Sequence, residues 1–368
     1  MTLHRQLRPA LKTFAAVVVA VAMLGSACAA STSIDETAGD PAPVQDTPSA
    51  ASGESENEDP TSEQVPGEPD PGDSADPVDP VDPADLAPGE VQVRLLDAGD
   101  EPRTELRLMI AASCGEVMTM NQTIGIEQTI DGNRIPSLGE VEQVMEMRNT
   151  VAPTGDNFEI NSEVLRAQSA PGTPPSIAQS MDVELAKIVG LTTSVTLTNR
   201  ALQVEGTTEL DGADALGPFA DLIEGLTALQ APLPSEAVGV GARWETINVL
   251  EVQGLIVTNV AENEIVSIDG TVIEMRITGR QEIPEGSTMD LGGGLAADVV
   301  TWESNTAGTM VVDLATISPI SSSATTTALQ SFEAPASEGG GTLDQEIRTD
   351  VVITSAPDDG CTGRTTRP

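Results

Sequence analysis

Between residues 91 and 358, apolar side chains recur at every second position. In EVMTMNQTIGIEQTID, Met118, Met120, Ile124, Ile126 and Ile130 share one parity, and Thr119, Thr123, Glu127 and Thr129 take the other. Val141, Met145 and Met147 repeat the pattern in EVEQVMEMRN, as do Phe158, Ile160 and Val164 in FEINSEV. Comparable runs are TTSVTLTN, RALQVEGTTEL, RWETINVLEV, GLIVTNVAE, EIVSIDG, TVIEMRITGRQEI, AGTMVVDLATIS, ATTTALQSFE and EIRTDVVITS. A period of two predicts strands with one buried face and one wet face, which is the habit of antiparallel sheets. Turn residues fall between the runs, at Asp131-Gly132-Asn133 and Asp269-Gly270, where hairpins need a positive φ.

Two segments carry a helical period instead. PPSIAQSMDVELAKIVG aligns Ile177, Met181, Leu185 and Ile188 on one stripe, with Gly190 placed to end it. DALGPFADLIEGLTAL aligns Leu216, Phe219, Ile223 and Leu226 behind a cap at Asp214, and Pro218 suits only a first turn. The predicted class is therefore mainly β with some α. It is a long curved antiparallel sheet or half-barrel, with two short helices packed on it.

The first 90 residues follow neither pattern. Met1 to Lys12 is basic, and Phe14 to Leu24 is apolar. Eleven helical residues rise about 16 Å, roughly half a bilayer core, so this reads as a signal peptide over residues 1–27. The next stretch, LGSAC, resembles a bacterial lipobox, in which the cysteine (here Cys28) takes a diacylglyceryl group. Ser26 and Ala27 fit that pattern, while Gly25 stands where the lipobox usually has Leu, and Leu24 is one position early. The rival reading is ordinary secretory cleavage around Ala27-Cys28-Ala29. From Ala29 to Glu90 there is no Lys or Arg, and the run GEPDPGDSADPVDPVDPADLAPGE repeats Asp-Pro. Such a segment cannot bury enough surface to offset its ordering entropy, so residues 28–90 read as a disordered, acidic, proline-rich spacer. Its reach lies between about 45 Å as a coil and about 190 Å as a polyproline II rod. The β-rich domain then covers 91–358, and 359–368 is a tail.

Charge narrows the partners. The 368 residues hold 58 acids against 17 bases. Three of those bases (Arg5, Arg8 and Lys12) lie in the signal segment, and Lys187 is the one lysine beyond it. A field of that sign repels phosphate backbones, which excludes nucleic acid as a partner. The same composition suits salty surroundings as well as a merely solvated surface. Circular dichroism across a salt series separates the two, because full folding in low salt removes the need for a saline habitat.

Little in the chain suggests catalysis. The single histidine, His4, lies in the signal segment. Without it, Ser-His-Asp and Cys-His chemistry and histidine-bearing zinc sites are gone. LGGGLAAD and SEGGGTLD lack the lysine of a phosphate-binding loop, and the acids show no calcium-loop spacing. There is no Tyr, and Trp244 and Trp302 are the only tryptophans, which leaves little to stack a sugar. The chain reads as a non-enzyme with no cofactor and no metal.

The cysteines and methionines remain. With Cys28 lipidated, Cys114 and Cys361 are left as a pair in an oxidising compartment. Their bridge would close a loop of about 250 residues, worth about 5 kcal/mol at most. Met118, Met120, Ile124, Ile126, Met145 and Met147 form a candidate apolar ligand face, since methionine adapts to varied apolar partners. Filling gaps in an aromatic-poor core is the plainer role for the same residues.

LPSEAVGVGARWE (Leu233 to Glu245) and the later AGTMVVDLATISPISSS (Ala307 to Ser323) resemble a family of uncharacterised bacterial envelope lipoproteins. That family carries a β-rich domain with an LP…VxVGxxW signature, and the resemblance spans roughly residues 104–356. It implies fold and location but no activity. In physical terms Gly239 and Gly241 suit a tight turn, and Trp244 a packing anchor. The plan also resembles bacterial lipid-carrier lipoproteins with half-barrel sheets, although no motif carries that likeness.

The expectation is an exported protein, anchored to the cell membrane through Cys28 and facing the extracellular or periplasmic side. Its β-rich module would bind a lipid or other apolar ligand. The alternative is a structural or protein-interaction lipoprotein with a solid core, its protein partner unknown. An apolar cavity of several hundred Å³ would favour the first.

Overall fold

A computed structural model describes residues 86–110, 113–137, 139–204, 231–252, 254–292, 295–334 and 340–358. The signal segment, Cys28, the spacer up to residue 85, the second predicted helix and the tail with Cys361 lie outside the described residues. In chain order the first elements are β1 (Val91–Asp97), β2 (Thr104–Glu105), β3 (Ser113–Ile130), β4 (Asn133–Arg134), β5 (Val141–Thr154), β6 (Asn157–Ser169), α1 (Pro175–Leu185) and β7 (Thr192–Thr198). The rest are β8 (Ala237–Val238), β9 (Arg243–Val252), β10 (Leu255–Asp269), β11 (Val272–Glu282), β12 (Thr288–Gly292), β13 (Leu295–Asp313), β14 (Ser321–Glu333) and β15 (Thr342–Pro357).

The period of two becomes one antiparallel sheet of 13 strands, in the order β1-β9-β10-β11-β13-β14-β15-β3-β5-β6-β7. β12 pairs with β13 and β4 with β3 at its margins, while β2 and β8 form a separate two-stranded ribbon. The sheet is open, with β1 at one edge and β7 at the other. Its ends nevertheless share a core. Val195 and Leu197 of β7 pack in one cluster with Trp244, Ile265, Ile273 and Met275 of β9 to β11. Leu106, Leu108 and Ile110, with Ala231, Leu233 and Val238, belong to the same cluster and bridge the two flanks: the Leu108 N–H donates to Asn199 just after β7, and the Met109 N–H donates to Leu314 just after β13.

A second cluster fills the other end of that face. It joins Met118, Met120, Met145 and Met147 to Val164, Leu255, Phe332, Ile347 and Ile353. α1 closes it, with Leu185 buried and Met181 packed alongside. Pro175 is the first helical residue, where its missing N–H costs nothing. The helix stops at Leu185, short of Gly190; a turn then carries the buried Ile188 onto the same cluster. Gly190 ends that turn at φ +85° and donates its N–H to Val164.

Two of the predicted strand runs change on folding. GLIVTNVAE and EIVSIDG merge into the single strand β10, with a register shift between Ile265 and Ser267. RALQVEGTTEL does not give a strand in its described part. Residues 200–204 instead double back on β7, where the Val204 N–H donates to Thr196 and Ala201 takes φ +58°. The turn residues behave as their chemistry requires: Asp131 and Gly132 both have positive φ between β3 and β4, and Gly270 has it between β10 and β11.

Candidate functional site

The six residues of the candidate apolar face come together on the inward side of β3 and β5. Met118 stands opposite Met147 and Met120 opposite Met145, while Ile124 faces Val141. All are buried except Ile126, which is partly so. They line the sheet interior rather than an exposed surface.

The inward parity also carries polar residues, a feature the apolar reading passed over. In MTMNQTIGI the inward set is Met118, Met120, Gln122 and Ile124, so a glutamine occupies an apolar register. The same intrusion recurs in strand after strand. Asn248 of β9 faces Asn259 of β10, Asn259 faces Gln281 of β11, and Gln281 faces Ser304 of β13. One inward position along β13 is Trp302, which faces Gln330 of β14; Gln330 faces Gln345 of β15, which faces Gln128 of β3. The result is a polar band across seven neighbouring strands, lying inside the sheet. Thr306, Thr326 and Thr349 make a shorter row beside it, with a 2.8 Å hydrogen bond between the first two hydroxyls. The signal for this band was in the sequence, as Asn and Gln at the parity of the buried methionines.

Two properties set the band apart from ordinary core polarity. First, it is uncharged: every buried polar side chain among the described residues is Asn, Gln, Ser or Thr. Second, several of its atoms are orphaned. The Gln345 carboxamide, at 3 % exposure, has no partner for either Nε2 or Oε1. Asn259 Oδ1, Trp302 Nε1 and Thr349 Oγ1 are buried and equally unpartnered. Buried polar atoms nearly always find a partner, and leaving one bare costs about 1–3 kcal/mol. At the β9–β13 end the band borders a cavity of about 40 Å³, lined by Thr246, Asn248, Asn259, Gly279, Gln281 and Thr306 among others. That volume holds a few waters at most and no acyl chain.

The glycine-rich motif lies in the other core. Trp244 is fully buried and its Nε1 donates to the Pro232 carbonyl at 2.9 Å. Gly241 makes the turn before β9 at φ +81°, whereas Gly239 serves a close approach: a Cβ there would sit 1.8 Å from the Asp100 carbonyl oxygen. Charges stay outside. Arg94–Glu245, Arg166–Glu146 and Arg276–Glu264 are ion pairs with exposed arginines. The Arg348 guanidinium donates to Asp350 at 2.9 Å and holds its carboxyl below the usual carboxylate range, against partial burial, with Thr325 adding a further hydrogen bond.

Cys114 belongs to β3, although its side chain lies outside the described residues. The β15–β3 ladder runs to Pro357–Glu116, and the Asp358 N–H still donates to Gly115. Cys114 is the next residue along β3 from that bond, and Cys361 is three beyond Asp358. Among the described residues no group of three His, Cys, Asp or Glu is placed to hold a metal ion, and no helix is long and apolar enough to cross a membrane. No protein-family model matches the chain, and no curated protein matches it in sequence.

Proposed function

We propose that the chain is an exported, lipid-anchored envelope protein whose β-rich module takes an apolar or amphiphilic ligand against the inward face of its sheet. The observation that carries this reading is the set of orphaned, uncharged polar atoms along that face. A protein that only needed a solid core would gain stability by replacing them with apolar side chains. Methionine at four adjoining inward positions supports the same reading, because its flexible side chain can move aside for a ligand. Cys28 supplies the diacylglyceryl anchor, the spacer holds the domain off the membrane, and Cys114 and Cys361 pair.

One observation favours the alternative of a solid interaction module: the 40 Å³ cavity is far below the several hundred Å³ that ligand sites occupy. Native mass spectrometry of the purified chain decides between the two. A co-purifying lipid supports the binding module, and a bare protein that also refuses lipid on reconstitution supports the solid core. The anchor has its own test. Labelling with a fatty-acid analogue should vanish in Cys28→Ala, and labelling that persists removes the tether. Pairing of Cys114 with Cys361 predicts a mass about 2 Da lower than that of the reduced chain, with no thiol titratable until reductant is added.

A further inference from the structure

The polar band narrows the ligand further, an inference that rests on the binding reading above. We infer that the row Trp302–Gln330–Gln345 is the head-group site for an uncharged amphiphile bearing both a hydroxyl and an ester or amide carbonyl, of the kind found in mono- and diacylglycerols.

The orphaned atoms set the chemistry. Trp302 Nε1 can only donate, so it needs an acceptor. Gln345 leaves both ends of its amide open; Nε2 seeks an acceptor and Oε1 a donor. Thr349, two inward positions along the same strand, has a hydroxyl that can do either. A carbonyl alone leaves Gln345 Oε1 bare, and so does a fully ionised phosphate or carboxylate, which accepts without donating. A hydroxyl next to an ester satisfies all three kinds of demand. Charge argues the same way. Buried polar groups among the described residues include no cation, so an anionic head would enter without a counter-charge, at a cost an uncharged one does not meet.

Placement agrees with an amphiphile. The row lies near the end of the sheet where β14 passes to β15, since Glu333–Thr342 is the last pair of that ladder. From Gln345 the inward face of β15 continues through Ile347 and Val351 to Ile353, which stands opposite Met120. That is eight residues, or about 26 Å of largely apolar wall ending in the methionine cluster. A head at the amide row and tails toward the methionines would match each part of the ligand to the lining that suits it.

The test is calorimetric titration of the purified full-length chain with 1,2-dioctanoylglycerol and, separately, with dioctanoyl phosphatidic acid. The diacylglycerol should bind at least tenfold more tightly than the anionic lipid of the same chains. Gln345→Leu should weaken diacylglycerol binding about tenfold while raising the melting temperature of the ligand-free protein, because it removes two buried orphans. Trp302→Phe keeps a ring in place and loses one donor. It should weaken binding severalfold, and serves if the leucine variant does not fold. Equal affinity for the two lipids, or unchanged diacylglycerol affinity in both variants, overturns the head-group site and leaves the binding module standing. Binding of neither lipid by the wild-type chain overturns both.

Discussion

At the scale of single residues, two glycines of one motif do different work. Gly241 takes φ +81° with open space where a side chain would grow, so Gly241→Ala meets only the left-handed backbone penalty, about 1 kcal/mol. At Gly239 the obstacle is the backbone of the Asp100 segment, which cannot rotate away as a side chain would. Gly239→Ala should therefore cost about 3 kcal/mol or more, and urea denaturation of the two variants should rank them in that order. The spacing of the motif suggested one tight turn for both glycines, and only Gly241 is used that way. The close approach at Gly239 joins residues 139 positions apart, which no local pattern can reveal. Trp244 was readable, because a lone large aromatic in an aromatic-poor alternating run has few places to go but the core.

At the scale of elements, the alternating runs were legible because their chemistry is local: Met118 and Met120 differ from Thr119 and Asn121 whatever lies across the sheet. The merging of two runs into β10 was not, since the join Glu262-Asn263-Glu264 is polar and its buried Asn263, at the inward parity, looks in the sequence like a break. The missed polar band has a related cause. Each Asn or Gln looks like an isolated exception within its own strand, and becomes a band only when seven strands are laid in register. Electrostatics on the outer face are likewise set by neighbours. The Arg348–Asp350 pair lies on the outer parity of β15, with Thr325 reaching across from β14. Since the folded-state carboxyl titrates below its ordinary value, the pair stabilises the fold above the normal carboxylate range, and the contribution is lost as pH falls through the lowered value. Asp350→Asn should lower the melting temperature slightly at pH 7, and the gap from wild type should close as pH falls through that lowered value. The effect is small because both partners reach solvent.

At the scale of the whole molecule, the order of strands is where sequence and space diverge most. Neighbouring runs in the sequence form hairpins, as β5–β6 and β10–β11 do, but β15, paired on one side with β14, takes on its other side β3, more than 200 residues upstream. That long ladder sits in the interior of the sheet, so the last of the described strands is a middle stave and not a trim at the edge. Deleting residues from Thr342 onward should abolish the cooperative melting transition, whereas deleting Val91–Asp97 at the edge should only lower its midpoint. A cooperative transition retained without β15 would show that the two flanks of the sheet fold by themselves. The order also bears on the export proposed above. A nascent chain cannot complete this sheet until β15 has left the ribosome, and the long wait for its pairing with β3 delays compaction. Under that proposed export, a polypeptide threaded through a narrow translocation pore before it folds is served by that delay, because the place of β15 in the sheet keeps the earlier strands threadable until it has been made.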